Sequence, residues 1–123
     1  MIVYRINIPL NEDGVREFEE YEKDTQNVKT FELSEEEYIY LRRPGGLFSK
    51  FDSVFGTIID VCEEERIDSE YLTEALKLVD NELKKCNNEG CDAISKVKES
   101  IKLAIKAGTF WEIDVYLEHG SDQ

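Results

Sequence analysis

Cys86 and Cys91, a C-x₄-C pair flanking residues 87–90, have the spacing that first suggests a metal or redox centre. A structural zinc site takes four ligands, commonly thiolate or imidazole. Only Cys62 and His119 could complete one here. His119 stands beside Gly120 close to the last residue, where chain ends fray. It is also the single imidazole that could activate a cysteine or move a proton, work that requires a held geometry. The expectation is therefore no catalytic residue, no metal ligand and no cofactor-binding residue. Three cysteines in a chain without an export signal also predict reduced thiols rather than a disulfide framework.

Carboxylates are too numerous here for any one pair to be diagnostic. Neither residues 11–14 nor residues 60–68 carry the D-x-[DN]-x-[DN]-G pattern of a calcium loop. Pro44, Gly45 and Gly46 lack the Lys and Ser/Thr of a phosphate loop, and with Gly56 they make no dinucleotide fingerprint.

What the acids do have is placement. Of 123 residues, 28 are Asp or Glu and 15 are Lys or Arg, a net charge of −13. Residues 11–40 hold eleven acids against three bases and residues 52–70 seven against one, whereas residues 71–108 hold six against seven. Such a field repels phosphates and anionic lipid, so direct binding to nucleic acid or membrane is not expected. It attracts basic proteins and speeds their association. Glu35, Glu36 and Glu37 form one run and Glu63, Glu64 and Glu65, with Asp60 nearby, form another. Adjacent like charges repel and cost stability, an expense that mixed signs would avoid, so these seven are the candidate partner-binding residues.

The elements that must carry these residues follow from periodicity. At 41% hydrophobic residues with six Phe, six Tyr and one Trp, the chain can enclose one core, which argues for a single domain over residues 1–123 with a frayed tail from 119. Residues 2–9 alternate, with Ile2, Tyr4, Ile6 and Ile8 on one face, and predict a half-buried strand. Val15, Phe18 and Tyr21 predict an acidic helix over 12–23, and residues 27–33 a short second strand. Ser34 and Glu37 have capping-box spacing for a helix to about Arg42, though Tyr38 to Leu41 would also suit a strand.

Phe48, Phe51 and Phe55 predict a helix over 47–55 that packs into the core and is stopped by Gly56. The β-branched stretch 57–62 predicts the third strand. Ser69 is placed to cap a helix striped by Leu72, Ala75, Leu76, Val79 and Leu83, and Ile94, Val97, Ile101, Ala104 and Ile105 repeat the stripe up to Gly108. A short turn between them predicts antiparallel neighbours. Last, Trp111, Ile113, Val115 and Leu117 alternate with Glu112, Asp114 and Glu118, predicting a strand with one apolar and one acidic face. The fold class is α+β: a small mixed or antiparallel sheet of about four strands covered by helices, including the C-terminal antiparallel pair.

Residues 47–56 (LFSKFDSVFG), Ile58-Ile59-Asp60, the acidic run, Ile67-Asp68-Ser69, two amphipathic helices, Ala107-Gly108 and an aromatic closing strand resemble small acidic bacterial immunity proteins. These neutralise the toxins of polymorphic and contact-dependent growth-inhibition systems. The resemblance spans about the last two thirds of the chain and implies a non-enzymatic cytoplasmic protein whose partner is a cognate toxin. With the charge distribution, it points to a basic nuclease bound through the acidic face. The alternatives are a small hydrolase using carboxylates or Cys62, and an acidic adaptor that mimics nucleic acid. The first of these predicts turnover lost on a single substitution.

Overall fold

The computed structural model describes residues 1–20, 25–60 and 63–118. Its elements in chain order are β1 (Ile2–Pro9), α1 (Glu12–Glu19), β2 (Val28–Leu33), α2 (Glu35–Arg42), α3 (Leu47–Phe55), β3 (Glu64–Ile67), a 3₁₀ turn (Ser69–Tyr71), α4 (Leu72–Leu83), α5 (Asn88–Ala107) and β4 (Trp111–Leu117). The strands form one antiparallel sheet in the order β2-β1-β4-β3. This is the α+β architecture that the alternating and helical periods imply.

One face of the sheet is apolar. Tyr4, Ile6 and Ile8 of β1 and Trp111, Ile113 and Val115 of β4 meet Tyr38 and Leu41 of α2, Phe48 and Phe51 of α3, Val79 of α4 and Ile94, Val97 and Ile101 of α5. The Phe stripe is core, with Phe48 and Phe51 both fully buried. Trp111 is buried too, and its Nε1 donates to Ser100 Oγ at 2.8 Å inside the core. α4 and α5 pack together as antiparallel neighbours, and Lys98 pairs with Asp80 across them at 2.9 Å.

Local sequence explains where these helices begin and end. Ser34 Oγ accepts from Glu37 N at 3.0 Å while Glu37 Oε1 accepts from Ser34 N at 2.8 Å, so the capping box is complete and residues 35–42 are helix. Gly56 and Gly108 close α3 and α5 in the left-handed conformation, at φ 73° and 71°.

Five expectations change. The first helix ends at Glu19 in place of 23, and residues 21–24 lie outside the described ones. Ser69 caps nothing: it opens the 3₁₀ turn that leads into α4. The third strand is β3 and not residues 57–60, and residues 61–62 of the expected strand lie outside the described ones. Residues 57–60 need no ladder because Asp52 Oδ1 accepts from Thr57 Oγ1 at 2.7 Å and from Ile59 N at 3.0 Å, so Thr57 and Ile59 are buried while Ile58 stays 61% exposed. β3 is instead the acidic stretch, and charge on an edge strand is a common guard against pairing with another chain. Cys86 and Cys91 are not free thiols but a disulfide, with Cα atoms 5.3 Å apart, across the start of α5. Finally, Glu112 and Asp114 are buried rather than solvated, at 5% and 8% exposure. Cys62, His119 and the expected frayed tail lie outside the described residues.

The α3–α4 contact carries a pH-dependent bond. Glu82 is buried on α4 and receives hydrogen bonds from Lys50 of α3 and, at 3.3 Å, from Lys85. Burial opposes its charge, but the two lysines outweigh burial and hold the carboxyl below its usual range. A carboxyl with a lowered folded-state pKa adds stability above its unfolded value near 4.3, and loses it as pH falls through the folded value. Glu82→Gln should therefore cost about 1–3 kcal/mol at pH 7 in urea unfolding. That deficit should shrink as the comparison is repeated toward pH 3.

Candidate functional site

The two acidic runs come to the same end of the sheet. Leu33, the last residue of β2, stands opposite Tyr4, and Tyr4 opposite Val115. Val115 N in turn donates to Glu63 O at 3.1 Å. Ser34 and the 35–37 run therefore begin at one edge of a row whose other edge is Glu63, roughly 14 Å away at ~4.8 Å per strand. α2 spans the distance between them, since Arg42 Nε at its far end donates to Ile59 O at 2.7 Å and Arg42 pairs with Asp60 at 3.9 Å.

The seven candidate residues divide by what holds them. Glu35, Glu36, Glu63 and Glu64 are exposed and have no ion-pair partner among the described residues. Glu37 serves the fold: burial opposes its charge, but Ser34 and Lys96, the latter at 2.9 Å, lower its carboxyl. Glu65 Oε1 accepts from Ile58 N at 3.1 Å and pins the preceding segment. Asp60 is exposed and engaged with Arg42. Two large apolar side chains in this part of the chain stand in water, Ile39 of α2 at 58% exposure and Ile58 at 61%.

The opposite face of the sheet is polar and ordered in two cross-strand rows. Glu32, Arg5, Asp114 and Glu64 make the first; Thr30, Asn7, Glu112 and Arg66 make the second. Thr30 Oγ1 donates to Asn7 Oδ1 at 2.7 Å, and Asn7 Nδ2 donates to Asp114 Oδ2 at 2.7 Å. Arg66 Nε donates to Glu112 Oε1 at 2.9 Å while its guanidinium lies 3.6 Å over the Phe110 ring and 3.6 Å from Glu19 of α1. Phe18 of α1 meets Phe110 at 5.9 Å, so α1 helps close this side.

Arg5 stands opposite Asp114 but turns away from it. Its Nη1 donates to Tyr116 Oη at 2.5 Å and it forms ion pairs with Glu118 at 3.3 Å and Glu32 at 3.5 Å, while its buried Nε has no hydrogen-bond partner among the described residues. Burial, and then the adjacent Asp114 carboxylate, push the Glu112 carboxyl up to about 8 against the pull of Arg66. Asp114 Oδ1 is buried with no hydrogen-bond partner among the described residues. The sequence signal for this second cluster was present in the pattern: Arg5 and Asn7 occupy the non-apolar positions of β1, as Glu112 and Asp114 do in β4.

No protein-family model matches the chain, no curated protein is detectably similar to it, and no solved structure matches it.

Proposed function

We propose that the protein is a non-enzymatic immunity protein that binds a basic protein toxin, a nuclease above all, and covers the surface with which the toxin would meet nucleic-acid phosphate. The observation that carries this reading is the convergence of two acidic runs, each with two exposed and unpaired members, on one end of the sheet. Glu35 and Glu36 lie at one edge of it, Glu63 and Glu64 at the other. Charge of one sign gathered on one surface steers a basic partner and raises its association rate by tenfold or more at low salt. Ile39 and Ile58 supply what charge lacks, apolar side chains that lose water on contact. Of the remaining three candidates, Glu37 serves the fold through Ser34 and Lys96, while Asp60 and Glu65 hold the Ile58 segment in place.

A cytoplasmic site of action goes with this reading. There the Cys86–Cys91 pair would meet reducing conditions, and the start of α5 keeps a second restraint, since Asn87 Oδ1 accepts from Gly90 N at 3.2 Å. None of the helices among the described residues is long and apolar enough to cross a membrane.

The test is capture of partners from the native organism, followed by association kinetics with the captured protein. The expected partner is a basic toxin fragment, and Glu35→Lys, Glu36→Lys and Glu63→Lys together should slow its association at least about tenfold and flatten its salt dependence. Recovery of a metabolic complex, or association unchanged by the three reversals in a protein with native circular dichroism, would sink the proposal.

A further inference from the structure

We propose that Glu64, Glu112 and Asp114 bind a single hard divalent cation on the polar face of the sheet. Each of the three offers an oxygen, and these oxygens all lie within 4.8 Å of one another. Oxygens on opposite sides of an ion that binds at 2.3–2.6 Å are about 5 Å apart, so the group has the dimensions of one coordination shell. It arises from pairing and not from a loop motif: Glu64 is directly opposite Asp114, and Glu112 is two residues along the same face of β4.

The second observation is the state of Asp114. The residue is 8% exposed, Asn7 takes its Oδ2, and Oδ1 is left buried without a partner. A buried, unpaired carboxylate oxygen is costly, and like charges directly opposite across a strand pair add to that cost. The cations already present do not relieve it. Arg66 takes Glu112 Oε1 and divides its charge between Phe110 and Glu19, while Arg5 points to Tyr116, Glu32 and Glu118. What remains is the unpartnered Asp114 Oδ1 beside the Glu112 carboxyl and exposed Glu64, which gives an ion access from water and leaves room for water ligands. An all-oxygen donor set selects calcium, magnesium or manganese over zinc. Asn7 and Arg66 then act as the outer hydrogen bonds that orient metal ligands.

The experiment uses the full chain stripped with a chelator and titrated separately with Ca²⁺, Mg²⁺ and Mn²⁺. At least one ion should raise Tm by about 5–10 °C once it exceeds its dissociation constant roughly ten- to hundredfold. Mn²⁺ should broaden the backbone amide signals of residues 64, 112 and 114 before those of residues 35 and 36. Asp114→Asn should weaken binding at least about tenfold while leaving the ion-free protein no less stable, because it removes one of the opposed charges. Glu64→Gln, at an exposed position that folding does not depend on, should weaken it as well. No rise in Tm with any of the three ions would overturn the proposal and leave a proton shared between Glu112 and Asp114 as the occupant. Binding unaffected by Glu64→Gln and Asp114→Asn, or broadening as strong at residues 35 and 36, would also overturn it.

Discussion

Trp111→Ala should cost about 3–5 kcal/mol, the largest loss available to a single substitution in this core. Trp111 is fully buried at the start of β4 and joins three elements. Its ring meets Phe51 edge-on at 5.7 Å and 84° and Phe48 at 6.2 Å and 63°, so truncation removes two favourable aromatic contacts as well as apolar area. It also leaves Ser100 Oγ, itself buried, without the Nε1 donor. Because a domain of this size is stable by only about 5–15 kcal/mol, the variant should be marginal at 37 °C. Urea unfolding followed by circular dichroism measures it. Trp111→Phe separates the contributions, keeping a ring against Phe48 and Phe51 and losing the hydrogen bond, at about 1–3 kcal/mol. A loss below 1 kcal/mol for the alanine variant would contradict the packing described.

Gly14→Ala should destabilise by about 2–4 kcal/mol, against the usual sign for a helix. Within a helix, alanine is ordinarily better than glycine by about 1 kcal/mol. Gly14, however, is buried where α1 lies against residue 27, and a methyl there would overlap the Asn27 backbone carbonyl. That carbonyl cannot move freely. It accepts from Leu10 N at 2.8 Å, and Asn27 is further gripped by Glu17, which takes its N at 3.1 Å and its Nδ2 at 2.7 Å. Those bonds from Asn27 hold the Glu17 carboxyl below its usual range. Admitting the methyl therefore means breaking the joint between β1, α1 and β2. A variant that melts at or above the parent temperature would show that the joint gives way without cost.

How much of this was legible in the chain depended on whether the deciding interaction was local. Val79 in α4 and Ile94, Val97 and Ile101 in α5 sit at helical spacing and are buried as that spacing requires. Ser34 and Glu37 decide α2 within four residues, which is why the helix wins over the strand that Tyr38 to Leu41 would also suit. Thr57 to Asp60 has strand-like residues, yet the side chain that settles its path is Asp52, acting through hydrogen bonds, and the third strand forms farther on. An odd cysteine number spoke against a disulfide, whereas the turn into α5 brings Cys86 and Cys91 together.

The candidate face was legible only in part. Glu35, Glu36 and Glu63 are exposed as expected, but which of the seven acids are free depends on Lys96, Arg42 and Ile58 N, contacts that spacing does not reveal. Alternation placed Glu112 and Asp114 on the face away from the core. It could not show that Arg66, Asn7 and α1 would cover that face.

The two middle strands of the sheet are β1 and β4, which pair Ile2 with Leu117 and Asn7 with Glu112. Met1 and Glu118 extend the ladder, with Glu118 N donating to Met1 O at 2.8 Å. Every other strand hangs on these two, so during synthesis the sheet has no centre until residues 111–117 have left the ribosome. Until then Ile6 and Ile8 have only β2 to pair with, and a two-stranded ribbon is marginal in water. Joining segments so far apart in sequence makes folding late and slow for a domain of this size. A ribosome-tethered chain stopped short of β4 would carry an open, sticky sheet edge in need of a chaperone.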